Sequence, residues 1–160
     1  MELILWRHAD AANALGGDDL GRALTARGAA QAARMAAWLD PLLEGVWRIL
    51  SSPALRAVQT VSALDRPHDI RDALGLEASA QGVLREAQWP DGARNALVVG
   101  HQPTLGETAA LLLGSSAGEV VFRKGAVWWF SLRERHGQRE TVLKAVLDPD
   151  LLDGGQDRAK

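Results

Sequence analysis

The sequence predicts an α/β fold: a three-layer sandwich with a mostly parallel central sheet and an antiparallel hairpin at one edge. Short apolar runs alternate three times with helical patterns, as in parallel strands joined by crossover helices. The last part of the chain carries strand patterns alone, joined by a tight turn, which is typical of a hairpin. With 160 residues, of which 47% are hydrophobic, the chain is long enough to bury one core.

The first half of the chain predicts two strand–helix units. Thr25 has the side chain of a helix N-cap, and alanines and leucines then recur at three- and four-residue spacing. Ser52 and Pro53 favour a second helix start, because serine caps a helix and proline suits its first position. The predicted elements are a strand at 2–7, a helix at 25–43, a strand at 46–50 and a helix at 52–64.

The second half predicts one further strand–helix unit and then strands alone. His136 and Gly137 lie at the expected hairpin turn, and Gly114 suits a helix C-terminus. Trp128 and Trp129 are consecutive in a strand, so we expect them on opposite faces of the sheet. The predicted elements are a short strand at 68–71, a helix at 79–88, a strand at 96–100, a helix at 103–114 and strands at 119–122, 126–133 and 141–147.

The composition favours a single domain at 1–147, followed by a polar, loose C-terminal tail at 148–160. The chain has no cysteine, which excludes disulfides, thiolate zinc sites and a cysteine nucleophile. A formal net charge of −2 does not favour nucleic-acid binding. No apolar run is long enough to span a membrane, and the N-terminus lacks the apolar core of a secretory signal. We therefore expect a cytoplasmic protein that binds neither nucleic acid nor membranes, and we expect it to be a monomer.

Polar side chains follow three predicted strands at the point where each strand ends. Arg7 and His8 end the first strand, Arg56 lies early in the helix after the second, and His101 follows the strand at 96–100. Carboxyl ends of parallel strands share one edge of the sheet, where ligands bind beside helix N-termini. Arginine binds phosphate oxygens bidentately, and histidine is a nucleophile near neutral pH. These residues predict a phosphate site with a histidine nucleophile.

The segments around these residues resemble the three signatures of the histidine phosphatase superfamily. The resemblance is strongest to its small SixA-like branch, the phosphohistidine phosphatases, and it covers roughly residues 1–132. It implies a phosphoglycerate mutase-like fold. The matching segments are Arg-His-Ala-Asp-Ala at 7–11, Ser-Pro-Ala-Leu-Arg-Ala-Val-Gln-Thr at 52–60, Val-Gly-His-Gln-Pro-Thr-Leu-Gly at 99–106, and Arg-Ala-Leu-Thr-Ala-Arg-Gly at 22–28 with Gln-Ala at 31–32.

The resemblance also implies an activity and a set of catalytic residues. His8 is the residue expected to become phosphorylated, while Arg7, Arg56 and His101 surround the transferred phosphoryl group. Positioned cations supply most of the catalysis of phosphoryl transfer, so we expect neither a metal ion nor another cofactor. The expected enzyme is a phosphohistidine phosphatase, and its expected partner is a histidine-phosphorylated phosphotransfer or signalling protein.

Three further residues are candidates for substrate binding, all in the loop after the first strand. Asp10 and Asp19 are placed to orient the histidine or the substrate, although Asp10 equally suits the cap of a local turn. Arg22 is a candidate substrate contact, and the alternative for it is a solvated surface arginine. His68 and His136 lie in polar surroundings and are interpreted as surface residues.

Two departures from the wider superfamily pattern bear on the substrate. Ala9 stands where most members have glycine, and no acid occupies 74–76, where larger members place a glutamate; Glu77 and Glu86 are nearby candidates. An alcohol must be protonated to leave, whereas imidazole has a pKa of about 6.5, so a protonated phosphoimidazole leaves readily without a strong acid. The sequence therefore favours a P–N substrate. A phosphomonoester phosphatase acting on sugar phosphates is the alternative, and a non-catalytic phosphoprotein-binding module is a more distant one.

Overall fold

A mixed β-sheet forms the middle layer of the protein. The computed structural model describes residues 1–14, 16–116 and 118–152. Within these residues the sheet has six strands in the order β3-β2-β4-β1-β5-β6, of which β1 to β4 are parallel and β5 and β6 antiparallel. The strands are β1 (Glu2–Arg7), β2 (Trp47–Ser51), β3 (Asp69–Ile70), β4 (Asn95–Gly100), β5 (Val127–Arg135) and β6 (Gln138–Leu147).

Helices cover both faces of this sheet, so the predicted three-layer α/β class is confirmed. The helices are α1 (Ala26–Leu39), α2 (Leu55–Ser62), α3 (Ala80–Ala87) and α4 (Thr104–Leu112). Met35 of α1 and Val61 of α2 pack with Trp6 and Trp129 on one face. On the other face, residues of α3 and α4 pack with the alternate residues of the same strands. Burial on both faces explains why the parallel strands read as continuous apolar runs.

The hairpin and the tryptophan pair were predicted correctly. His136 and Gly137 both have positive φ, 52° and 74°, as the centre of a two-residue hairpin turn requires. Trp129 lies in the cluster packed by α1 and α2, whereas Trp128 stacks on Phe122 on the opposite face, with 4.7 Å between ring centroids.

Two predicted helix boundaries were wrong. Helix α1 ends at Leu39, and Asp40–Leu42 forms a 3₁₀ turn instead of a further α-helical turn, because Pro41 has no N–H to donate. Helix α2 begins at Leu55 with Ala54 as N-cap, not at Ser52. The Ser52 N–H donates to the Val99 carbonyl (3.0 Å), so Ser52 still extends the sheet edge.

The predicted strand at 119–122 was also wrong. No strand in the described part of the chain pairs with this segment: the Val120 N–H donates to the Gly106 carbonyl of α4 (3.1 Å), and side chains take up other backbone hydrogen bonds. The Gln102 amide donates to the Val120 carbonyl (3.0 Å) and accepts from the Phe122 N–H (3.3 Å). The Phe122 carbonyl in turn accepts from the guanidinium of Arg7. The segment therefore forms a loop fastened to residues at the carboxyl ends of β1 and β4.

The first five residues of the expected loose tail are ordered against the domain. Asp148 caps a 3₁₀ turn at Pro149–Leu151, and Pro149 is buried. Arg123 pairs with Asp148 (3.1 Å) and with Asp150 (3.6 Å). Residues 153–160 lie outside the described residues. Among the described residues, no helix combines the length and the apolar character that crossing a membrane requires.

Two glycines at equivalent helix positions give a matched test of packing. The Gly28 N–H donates to the Thr25 N-cap (3.0 Å) and the Gly82 N–H donates to the Ser79 N-cap (3.1 Å). A Cβ at Gly28 would overlap the Asp10 carbonyl, whereas a Cβ at Gly82 finds no atom closer than 3.3 Å. We expect Gly28→Ala to lower the free energy of unfolding by about 2 kcal/mol, within the usual cost of overpacking.

Gly82→Ala is the control for that substitution. We expect it to stay within about 1 kcal/mol of wild type, because alanine is the better helix former. Chemical denaturation of the two variants measures the difference, and equal losses would contradict a specific overlap at Gly28.

Candidate active site

Strand pairing brings the expected residues to one edge of the sheet. Arg7 of β1 pairs with Gly100 of β4, and the His8 N–H donates to the Gly100 carbonyl (3.0 Å). His8 and His101 thus directly follow the last residues of β1 and β4, two adjacent parallel strands. Their ring centroids lie 5.2 Å apart, and both side chains are buried.

The ring of His8 has a defined tautomer. Its Nδ1 lies 2.8 Å from the Ala9 carbonyl, which can only accept, so Nδ1 carries the proton and Nε2 has the lone pair. The Nε–H of Arg56 donates to this Nε2 (3.3 Å). The Thr60 hydroxyl accepts from the Ala9 N–H (3.1 Å) and donates to the Arg56 carbonyl (2.7 Å), which fixes the backbone that holds the ring. His8 therefore presents Nε2 as its nucleophilic atom.

Arg56 is buried and bonded to the loop after β1. Its guanidinium donates to the Asp19 carbonyl (2.5 Å) and to the Asp19 carboxylate (3.1 Å). Arg22 donates to the other oxygen of that carboxylate (2.9 Å). Hydrogen bonding from Arg22, and then the charge and hydrogen bond of Arg56, lower the pKa of Asp19. Asp19 is thus an ionised counter-charge and a poor proton donor.

Arg7 and His101 each leave a ligand-binding atom unused. The Nε of Arg7 and the Nδ1 of His101 are buried and have no hydrogen-bond partner in the described parts of the chain. The Nε2 of His101 lies 2.7 Å from the Ser52 hydroxyl. Buried polar groups are normally paired, so these two atoms mark where a polar ligand fits.

Burial keeps both histidines neutral. Desolvation, together with the positive charges of Arg56 and Arg7, lowers the pKa of His8 to about 3 and that of His101 to about 4. Two neutral rings beside two guanidinium groups leave a net positive site. Such a site attracts a phosphoryl dianion and offers it a nucleophile that needs no deprotonation.

The structure places the substrate-binding candidates differently from one another. Asp19 and Arg22 join the site through Arg56. The Asp10 carboxylate instead accepts from Thr25 (2.8 Å) and Lys124 (2.7 Å), beside the start of α1. Within the described residues this carboxylate forms no hydrogen bond with either active-site histidine, Arg7 or Arg56. Lys124 is the first cause of its lowered pKa.

Neither candidate acid contacts the histidines among the described residues. Glu86 pairs with Arg71 (2.9 Å), while Glu77 is exposed. In the same parts of the chain, no group of three or more histidine, aspartate or glutamate side chains is placed to hold a metal ion.

Sequence reasoning gave no role at the site to Ser52 and Thr60. Both hydroxyls are fully buried and bond to the histidines or to the backbone that holds them. Both residues lie within the 52–60 segment that carries Arg56. This segment was recognised from the sequence, but Ser52, which precedes Pro53, was interpreted as a helix cap.

A family model decides the identity of the chain. The model of the histidine phosphatase superfamily (branch 1) matches residues 3–92. The chain belongs to the histidine phosphatase superfamily. This histidine phosphatase is therefore a hydrolase of phosphate groups, and the four residues that the sequence singled out lie together at its sheet edge.

Curated relatives and a solved structure agree with this assignment. The phosphohistidine phosphatase SixA of Escherichia coli (strain K12) is 30% identical, with 70% of this chain and 74% of that protein covered. The uncharacterized protein Rv1276c of Mycobacterium tuberculosis (strain H37Rv) is 35% identical, with 70% and 72% covered. The structure of the protein histidine phosphatase SixA complexed with tungstate has a TM-score of 0.79 at 27% identity, with 95% of this chain and 99% of that one covered.

The neutral histidines make the stability of this histidine phosphatase depend on pH. In the unfolded chain a histidine has a pKa of about 6.5, so below that pH the unfolded state binds more protons than the folded state. Stability is therefore retained above pH about 6.5 and lost as the pH falls toward 4. We expect each histidine to contribute a loss of about 1.4 kcal/mol per pH unit within that window.

Urea denaturation from pH 7 to pH 4.5 measures this slope. His101→Gln should reduce it by the share of one histidine, whereas His136→Asn, at the exposed hairpin turn, should leave it as in wild type. An unchanged slope in His101→Gln would contradict a buried neutral ring.

Proposed function

We propose that this enzyme removes phosphate from a histidine-phosphorylated phosphotransfer or signalling protein through a phospho-His8 intermediate. The observation that carries the proposal is the state of the site's ionisable groups. His8 offers an unprotonated Nε2, while Asp19, the carboxylate bonded to Arg56, is held ionised. The likeness to SixA over most of the chain supports the same substrate class.

The first step transfers the phosphoryl group to His8. Nε2 of His8 attacks phosphorus in line and the P–N bond of the substrate breaks. Its electron pair returns to a substrate ring that is protonated on its other nitrogen, so this ring departs as neutral imidazole. The Nε–H of Arg56 donates to Nε2 of His8 in the free enzyme, and it is placed to turn to an oxygen of the transferred group. The unpaired Nε of Arg7 supplies a second charged donor, and such donors stabilise the charge on the equatorial oxygens.

The second step returns the enzyme to its starting state. Water attacks phosphorus, the P–Nε2 bond breaks, and its electron pair returns to His8 as inorganic phosphate forms. The Nδ1–H of His8 stays hydrogen-bonded to the Ala9 carbonyl in both steps, so Nε2 is first the nucleophile and then the leaving atom. Each step needs the departing ring to carry a proton on its other nitrogen, so that it leaves as neutral imidazole, and the Nδ1–H of His8 meets this need in the second step.

The protonation states of the carboxyl groups favour an imidazole as the leaving group. Arg22 and Arg56 lower the pKa of Asp19, so its carboxyl does not protonate an alcohol near neutral pH. Glu86 is held by Arg71 in an ion pair. An alkoxide leaves poorly without an acid, whereas a phosphoimidazole that is already protonated on its other nitrogen needs none. Phosphohistidine therefore suits this site better than a sugar phosphate.

Phosphate release from two substrate classes tests the proposal. We expect wild type to release phosphate rapidly from a histidine-phosphorylated phosphotransfer protein and at least about tenfold more slowly from a panel of phosphomonoesters, consistent with the missing acid. His8→Ala should abolish release. Faster turnover of the monoesters would overturn the proposed specificity, and release that survives His8→Ala would overturn the intermediate.

Glu77 is the residue that would support a phosphomonoesterase instead. The segment that carries it borders the site, because the Ala78 carbonyl accepts from the Thr104 hydroxyl (3.0 Å) three residues beyond His101. We expect Glu77→Gln to leave phosphohistidine turnover within about twofold of wild type, since an imidazole needs no acid. Glu86→Gln, on α3, is the matched control. A large loss of activity in Glu77→Gln alone would favour the phosphomonoesterase.

A further inference from the structure

We propose that Ser52 is a positioning residue that donates its hydroxyl proton to Nε2 of His101 and so leaves the Nδ1–H of that ring for the phosphoryl group. The role of this N–H in turnover rests on the proposed function. The tautomer itself does not, because it is a property of the free enzyme.

The contact between the two residues is short and enclosed. The Oγ of Ser52 lies 2.7 Å from Nε2 of His101. Ser52 is fully buried and His101 is 6% exposed, so water does not compete for this hydrogen bond. A bond of this length in an enclosed place has one donor and one acceptor, and the other partners of each atom decide which is which.

The partners of the hydroxyl assign its proton to Nε2. The Ala54 N–H donates to Oγ of Ser52 (3.2 Å), which uses one lone pair. Among the described residues, the hydroxyl proton has no acceptor besides Nε2 of His101. With the opposite polarity, the hydroxyl proton would be buried without an acceptor, which costs about 1–3 kcal/mol. The Ser52 hydroxyl is therefore the donor.

The tautomer of His101 follows from that donation. A neutral imidazole carries one proton, so a ring that accepts at Nε2 carries its proton on Nδ1. This Nδ1 is buried and has no partner within residues 1–14, 16–116 and 118–152. An oxygen of a bound phosphoryl group would be its acceptor.

The neighbouring ring places that phosphoryl group within reach. His8 and His101 have ring centroids 5.2 Å apart, so a group carried on Nε2 of His8 lies beside the ring of His101. Protonating His101 at Nε2 would force the Ser52 hydroxyl to lose its acceptor. Ser52 thus favours a neutral His101 that donates one fixed hydrogen bond.

Nitrogen NMR of the free enzyme tests the assignment directly. The chain has four histidines, so ¹⁵N labelling gives few ring signals, and the His101→Gln spectrum identifies those of His101. We expect wild-type His101 to show the Nδ1–H tautomer. Ser52→Ala should give a mixture of tautomers, because Nε2 loses its donor. A wild-type spectrum with the proton on Nε2 would overturn the proposal.

Ser51 is a matched control for Ser52. It is also a fully buried serine, but its hydroxyl donates to the Ser52 carbonyl (2.9 Å) and contacts neither histidine. Ser51→Ala should therefore leave the His101 signals unchanged, whereas Ser52→Thr keeps a hydroxyl and should preserve the wild-type tautomer.

Turnover provides the second measurement. We expect Ser52→Ala to lower kcat about tenfold with little change in KM, the equivalent of one hydrogen bond made in the transition state. Ser51→Ala should stay near wild type, and Ser52→Thr should recover most of the lost kcat. Equal losses of kcat in Ser51→Ala and Ser52→Ala would overturn the role in catalysis. If wild type releases no phosphate from phosphohistidine, the proposed function fails, and the NMR spectrum still decides the role of Ser52.

Discussion

Parallel pairing of β1 and β2 with β4 is the constraint on which the rest of the site depends. The β4 backbone accepts from the N–H of His8 at Gly100 and from the N–H of Ser52 at Val99, so the residues beyond all three strand ends meet at one level. A shift of one residue in either pairing would turn alternate side chains to the other face. Both faces are packed by helices, so the core that α1 to α4 bury also sets the separation of the two histidines.

The same burial determines the electrostatic character of the site. Two histidines that remained in water would be partly charged near neutral pH, but enclosed beside Arg7 and Arg56 they are neutral. Asp19 offsets part of the arginine charge from the loop after β1. The site thus separates its functions, since the guanidinium groups carry the charge and the imidazoles carry the lone pairs. The Ser52 hydroxyl bonds to the ring of His101, and the Thr60 hydroxyl bonds to the backbone of Ala9, the residue after His8.

Much of the fold and the centre of the site could be predicted from local pattern. Apolar runs, cap residues and the His136-Gly137 turn depend on neighbours in sequence, so the order of elements and the convergence of the two histidines and Arg56 were predictable. Two of the errors arose where residues distant in sequence replace local partners. The Gln102 side chain forms hydrogen bonds with the backbone of Val120 and Phe122. The Ser52 N–H donates to the carbonyl of Val99, which lies 47 residues further along the chain. Spacing within a motif does not show which hydroxyl meets which ring nitrogen.

The place of β1 in the sheet has a consequence for how the enzyme is made. Although β1 is the first element of the chain, it lies between β4 and β5 and pairs with residues as late as Ser131. During synthesis α1 and α2 emerge long before the two strands that enclose β1, and contacts of such long sequence separation form slowly. His8 therefore leaves the ribosome well before His101 and before β4 and β5, the two strands that pair with β1. A nascent chain that ends before β4 carries the nucleophile without the second histidine beside it.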